Sequence, residues 1–142
     1  MDMKNLILIG FFCTGILAAG CSKPPKADSV VLQGTWSGQE EGAKPQGSPM
    51  LIISGTKLEF HGANPQEWYK ATFSLREDTT PKQLEAVIAE CPAPQYVGKT
   101  AHAIYKIENG KFTLSSYEPG NPAAPATFDA RGARQIVFTL KP

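Results

Sequence analysis

Few residues in this 142-residue chain are of a type that could do chemistry, and their spacing decides what is possible. The two histidines, His61 and His102, could serve as metal ligands or as acid–base groups. A metal centre needs three or four ligands converging on one point. His61 ends a strand-like segment beside Gly62, and His102 sits between Ala101 and Ala103 on what should be an outer face, so each reads as a solvated side chain. The nearest carboxylates, Glu59 and Glu85, give no ligand spacing with them. The paired acids Glu40-Glu41 and Glu77-Asp78 fall in loop-like contexts and read as solvated rather than catalytic. Nucleophile, metal and phosphate motifs such as GxSxG, HExxH, CxxC and a glycine-rich loop do not occur in the sequence. The expectation is a protein without a catalytic centre, metal or cofactor.

Cysteine is the exception. Cys21 stands directly after Ala18-Ala19-Gly20, which close an apolar run from Leu6 to Ala19 preceded by Lys4. A basic start, an apolar stretch and small residues form the order of a processed leader. The run of about 14 residues would span roughly 21 Å as helix, less than the roughly 20 residues a bilayer core requires. Together with the cysteine, this stretch resembles the lipobox of bacterial lipoproteins, where cleavage before the cysteine leaves a new N-terminal residue that carries acyl chains. The resemblance implies a leader over residues 1–20, lipidation at Cys21 and attachment to a lipid bilayer. Ser22 following the cysteine implies the outer membrane, facing the periplasm, rather than retention at the inner one. SKPPKADS then reads as a tether over residues 21–29, with a single folded domain over residues 30–142. Cys91 is left without a partner in the mature chain, so no disulfide is expected; a structural cysteine is the simpler reading than a reactive thiol.

Without the leader the chain has 122 residues, enough for one modest core. Removing Lys4 and Asp2 leaves 13 basic and 12 acidic residues, scattered without a basic stripe, which argues against a nucleic-acid partner. Most of the domain alternates as strands do. Val31 to Gly38 is the first segment, followed by the loop QEEGAKPQGSP. Met50 to Ser54 and Thr56 to His61 flank Gly55 as a tight hairpin. Trp68 to Leu75 places Tyr69, Ala71, Phe73 and Leu75 on one side. Ala101 to Ile107 repeats the pattern, and Asn109-Gly110 supplies a type I′ hairpin signal leading into Phe112 and Leu114. A turn-rich stretch, EPGNPAAP, precedes Thr127 to Ala130, and Gln135 to Lys141 closes the chain with Ile136, Phe138 and Leu140 aligned. By pattern alone TPKQLEAVIAE is better as a short helix, with Thr80 and Pro81 at its start and Leu84, Val87 and Ile88 on one face, whereas a strand would place Leu84, Ala86 and Ile88 inward. About eight short strands imply a sandwich or a closed barrel, which composition does not separate.

Leu32-Gln33-Gly34-Thr35-Trp36 contains the Gly-x-Trp signature of lipocalins. The domain as a whole, through LIISGTKLEF, TPKQLEAV, GKTAHAIYKIENGKFTL, PATF and IVFTLK, resembles a small lipocalin-like family of planctomycete and verrucomicrobial bacteria. The resemblance implies an all-β, up-and-down antiparallel barrel of about eight strands, with residues 82–89 as strand. It also implies that Gly34 and Trp36 close one end of the barrel and that Lys141 packs across the indole. That family often has a cysteine where this chain has Ser115 and Ser116, so Cys91 carries over no family role.

The barrel interior admits two readings. Leu58, Phe60, Tyr69, Phe73, Tyr105, Phe112, Leu114, Phe128, Ile136 and Phe138 either fill it or leave a narrow pocket opened by Ala71, Ala86 and Ala103. Tyr69, Phe73, Tyr105, Phe112 and Phe138 are the candidate pocket residues, with Tyr69 or Tyr105 offering a hydroxyl to orient a ligand. Function then divides between a membrane-anchored, monomeric module for a small apolar or amphiphilic molecule and an interaction or structural domain of the cell envelope. In the second case the loops Gln39 to Pro49 and Glu118 to Ala126 would meet another envelope protein.

Overall fold

The computed structural model describes residue 20 and residues 23–42 and 47–142; Cys21, the leader up to residue 19 and part of the first long loop lie outside the described residues. A short helix, α1 (Asp28–Val31), precedes eight strands: β1 (Gly34–Glu40), β2 (Met50–Ser54), β3 (Lys57–His61), β4 (Trp68–Arg76), β5 (Lys82–Glu90), β6 (Thr100–Glu108), β7 (Lys111–Ser116) and β8 (Arg134–Leu140). Each strand pairs with its neighbours in sequence, and β8 returns to β1, so the sheet is a closed, antiparallel, up-and-down barrel of the lipocalin-like kind. Closure leaves no sheet edge exposed to other chains.

Alternation within each strand sets the inside of the barrel. Trp36, Leu51, Ile53, Leu58, Phe60, Phe73, Leu84, Ile88, Tyr105, Phe112, Ile136 and Phe138 form one buried cluster. Two two-residue turns pin the register at one end. Gly55 has φ +61° between Ser54 and Lys57, and Asn109 and Gly110 have φ +52° and +73° between Glu108 and Lys111. Asn109 and Gly110 supply the two positive angles a type I′ turn demands, whereas Gly55, positive at the first central position alone, matches the type II′ pattern. The ambiguous segment is strand: β5 pairs with β4 from Arg76↔Gln83 and with β6 from Lys82↔Tyr105, so neighbours on both sides override its helical pattern.

Three sequence expectations need correction. Val31 belongs to α1 rather than to the first strand, which begins at Gly34, where φ is +124°. Asp28, two residues before residue 30, is already buried. Thr127 to Ala130 is not strand. Instead residues 117–133 cross the outside of the barrel over β6 and β7. Ile104, Thr113 and Ser115 face away from the barrel axis yet are buried, Pro125 is fully buried, and the Lys106 ammonium lies 4.8 Å from the Phe128 ring. Phe128 is thus an outer-wall residue and not part of the interior. The Ser115 hydroxyl beneath this segment has no hydrogen-bond partner among the described residues.

Candidate functional site

The two ends of the barrel are built differently. At the end carrying the tight turns, α1 lies across the opening and Leu32 plugs it with no exposed surface. The Trp36 indole N–H donates to the Leu32 carbonyl at 2.9 Å, and its ring meets Phe112 edge-on with centroids 5.8 Å apart. Phe112 is also the hub for Tyr105 (5.8 Å, edge-on) and Phe138 (6.0 Å, stacked). Beneath α1 the Asp28 carboxylate accepts hydrogen bonds from the Lys82 ammonium at 2.7 Å and the Tyr105 hydroxyl at 2.8 Å. Burial alone would raise this carboxyl, but those two hydrogen bonds and the lysine charge together hold it below its usual range. Burial and the neighbouring carboxylate push the Tyr105 hydroxyl up, so it stays protonated and donating.

The opposite half is not filled. A cavity of about 380 Å³ opens at the end formed by the long connections, with Leu51, Leu58, Phe60, Leu84, Ile88, Leu114 and Ile136 on its walls. Ala71, Ala86, Ala101 and Ala103 also line it, and their short side chains leave the space. A volume of this size lies within the range of small-molecule sites, and an apolar wall with a few polar groups at the mouth is their common form. The mouth is ringed by Tyr69, Tyr96, Tyr117, Glu118 and Arg134. Phe60 and Tyr69 stack at 6.1 Å, and Tyr69 meets Tyr96 at 6.4 Å with their planes 57° apart.

Arg134 is the most constrained of these groups. Its Nε and Nη2 donate to the two oxygens of Glu40 at 2.7 and 2.9 Å, Nη1 donates to Glu67, and the guanidinium carbon stands 5.4 Å from the Phe60 ring centre. Burial alone would lower its pKa; the hydrogen bonds to the two glutamates more than offset this and keep it charged. The arrangement follows from strand parity. Glu40 continues the inward series Trp36 and Gly38, and Arg134 begins the inward series Ile136 and Phe138. Two charged side chains therefore turn inward at the mouth of the barrel, where pairing satisfies them.

Of the five candidate pocket residues only Tyr69 lines the cavity; Phe73, Tyr105, Phe112 and Phe138 are interior but sit in the filled half. The Tyr105 hydroxyl is engaged by Asp28 and offers nothing to a ligand. Gly34 and Trp36 lie at the closed end. Lys141 does not pack across the indole: Trp36 points inward, whereas Lys141 shares the outward parity of Val137 and Thr139. Its amide donates to the Thr35 carbonyl, and its ammonium lies 3.9 Å from the Met50 sulfur.

Sequence reading missed Arg134, Glu40 and the loop tyrosines. Extending each inward alternation by one step would have found the first two; Tyr96 and Tyr117 lie in segments without periodicity. His61 pairs with Glu59 at 2.7 Å and His102 lies 3.6 Å from Glu85, each on the barrel surface. Among the described residues no group of three potential metal ligands converges. Cys91 is half-buried, with its thiol 3.0 Å from the Ala93 carbonyl. A second depression of about 510 Å³ lies on the outer wall around Ser37, Gln39, Val137 and Thr139. Comparison of the chain with family models, with curated proteins and with solved structures finds no match.

Proposed function

We propose that this protein is a lipocalin-like binding module that takes a small apolar or amphiphilic molecule into the open half of its barrel, without catalysis. The observation that carries this reading is the cavity of about 380 Å³ left by Ala71, Ala86 and Ala103 above a fully packed floor. A domain of this size gains nothing in stability from an unfilled apolar space, since wall atoms facing a void lose contacts that packing would supply. The same reading places the protein in the cell envelope, attached through an acylated Cys21 to the outer membrane on its periplasmic side. Residues 23–27 lead directly into α1 at the closed end, so a lipid anchor would leave the mouth facing away from its point of attachment.

The test is binding of the neutral, polarity-sensitive fluorophore N-phenyl-1-naphthylamine to the wild type and to Ala86→Phe, which places a ring in the cavity. We expect saturable fluorescence enhancement with the wild type and its loss in Ala86→Phe, at an unchanged or higher urea midpoint. Equal enhancement in both proteins would locate the probe elsewhere and overturn the reading.

A further inference from the structure

Resting on that reading, we infer that the occupant carries a positively charged amine or quaternary ammonium end, held at the mouth among Tyr69, Tyr96 and Tyr117 beside the Glu118 carboxylate, with its apolar body in the barrel. A buried arginine at the mouth of a barrel would ordinarily suggest a carboxylate ligand, because the guanidinium fork matches that group. Here the fork is already occupied. Glu40 takes Nε and Nη2, Glu67 takes Nη1, and Phe60 covers the guanidinium face. The cluster therefore has one positive charge against two negative ones and repels a further anion.

Glu118 adds another negative charge. It is the other charged side chain on the cavity wall among the described residues, and its carboxylate enters none of their ion pairs. Lys99 and Arg131, exposed on the loops of this end, are not on the cavity wall. Burial first, then the charges of Glu67 and Cys91, raise the Tyr69 hydroxyl above its usual pKa, with Arg134 opposing and Glu118 adding the smallest push, so this hydroxyl stays neutral. The aromatic side of the site fits the same ligand. Tyr69 and Tyr96 present rings 6.4 Å apart and inclined by 57°, Tyr117 also lines the cavity, and ring faces attract an ammonium group.

Three probes of one chain length separate the head group from the cavity: octyltrimethylammonium, octanoate and octan-1-ol, titrated calorimetrically into the wild type and Glu118→Gln. We expect octyltrimethylammonium to bind at least about tenfold more tightly than octanoate. Glu118→Gln should weaken the ammonium probe about three- to tenfold while leaving octan-1-ol unchanged and the urea midpoint intact. Octanoate binding as tightly as the ammonium, or a Glu118→Gln effect equal for ammonium and alcohol, would overturn the head-group assignment and leave the cavity standing. Binding of none of the three would overturn both.

Discussion

Asp28 shows how one residue can fix the end of a barrel. Its carboxylate receives the Lys82 ammonium and the Tyr105 hydroxyl, while its own amide donates to Glu77, so α1 is tied to β5, β6 and the connection between β4 and β5. Hydrogen bonds to a charged group contribute about 1.5–3 kcal/mol each when buried, less here because Lys82 is partly exposed. Asp28→Asn should lower stability at pH 7 by about 1–3 kcal/mol, read from urea unfolding. The pH dependence follows from the depressed carboxyl. Its contribution is fully present above the unfolded-state value of about 3.9 and is lost as pH falls through the lower folded-state value. The gap between wild type and Asp28→Asn should therefore be constant from pH 5 to 7 and shrink below about pH 4; a gap that grows on acidification would refute this account.

Among the elements, those whose neighbours agree with their own pattern were legible. The Asn109-Gly110 hairpin, the alternation of β4 and β6 and the aligned side chains of β8 all followed from period-two patterning and turn chemistry. β5 read as helix by itself and as strand by resemblance, and pairing on both sides decided it. Strand ends were less legible than strand centres. The inward series of β1 and β8 each run to a charged residue, and Glu40 and Arg134 break the apolar pattern that identifies an inner face. Residues 117–133 were misread because Thr127, Phe128 and Ala130 resemble a strand locally, while a proline-rich segment packed on an outer wall has no period of its own. The seam between β1 and β8 yields a sharp prediction. A Cβ at Gly38 would lie 2.7–2.8 Å from Phe138 and Ile136, so Gly38→Ala must displace core side chains. It should cost about 1–3 kcal/mol in urea unfolding, as overpacking does; an unchanged midpoint would mean that the seam is looser than described.

As a whole molecule the protein is asymmetric along the barrel axis. Short turns, α1 and the aromatic hub of Phe112 fill one end, and long connections surround a cavity at the other. Strand patterning left a sandwich or a barrel, the lipocalin-like resemblance pointed to the barrel, and residue size marked the three alanines of the cavity wall, but none of these could divide the interior residues between floor and pocket. That division depends on where each lies along the axis, which strand stagger determines. The proposed lipid anchor would act on the whole protein. Cys21→Ala should abolish acylation and accumulate the unprocessed precursor in membrane fractions, whereas normal processing and attachment of that variant would exclude the lipid anchor.

Occupancy of the cavity in the cell bears on function most directly. Native mass spectrometry of the protein purified from its own cells, compared with Ala86→Phe prepared identically, measures it. A small-molecule adduct, over and above any N-terminal acyl groups, is expected on the wild type and is expected to be missing from Ala86→Phe. A wild type without such an adduct, or the same adduct on both proteins, would contradict the proposed function.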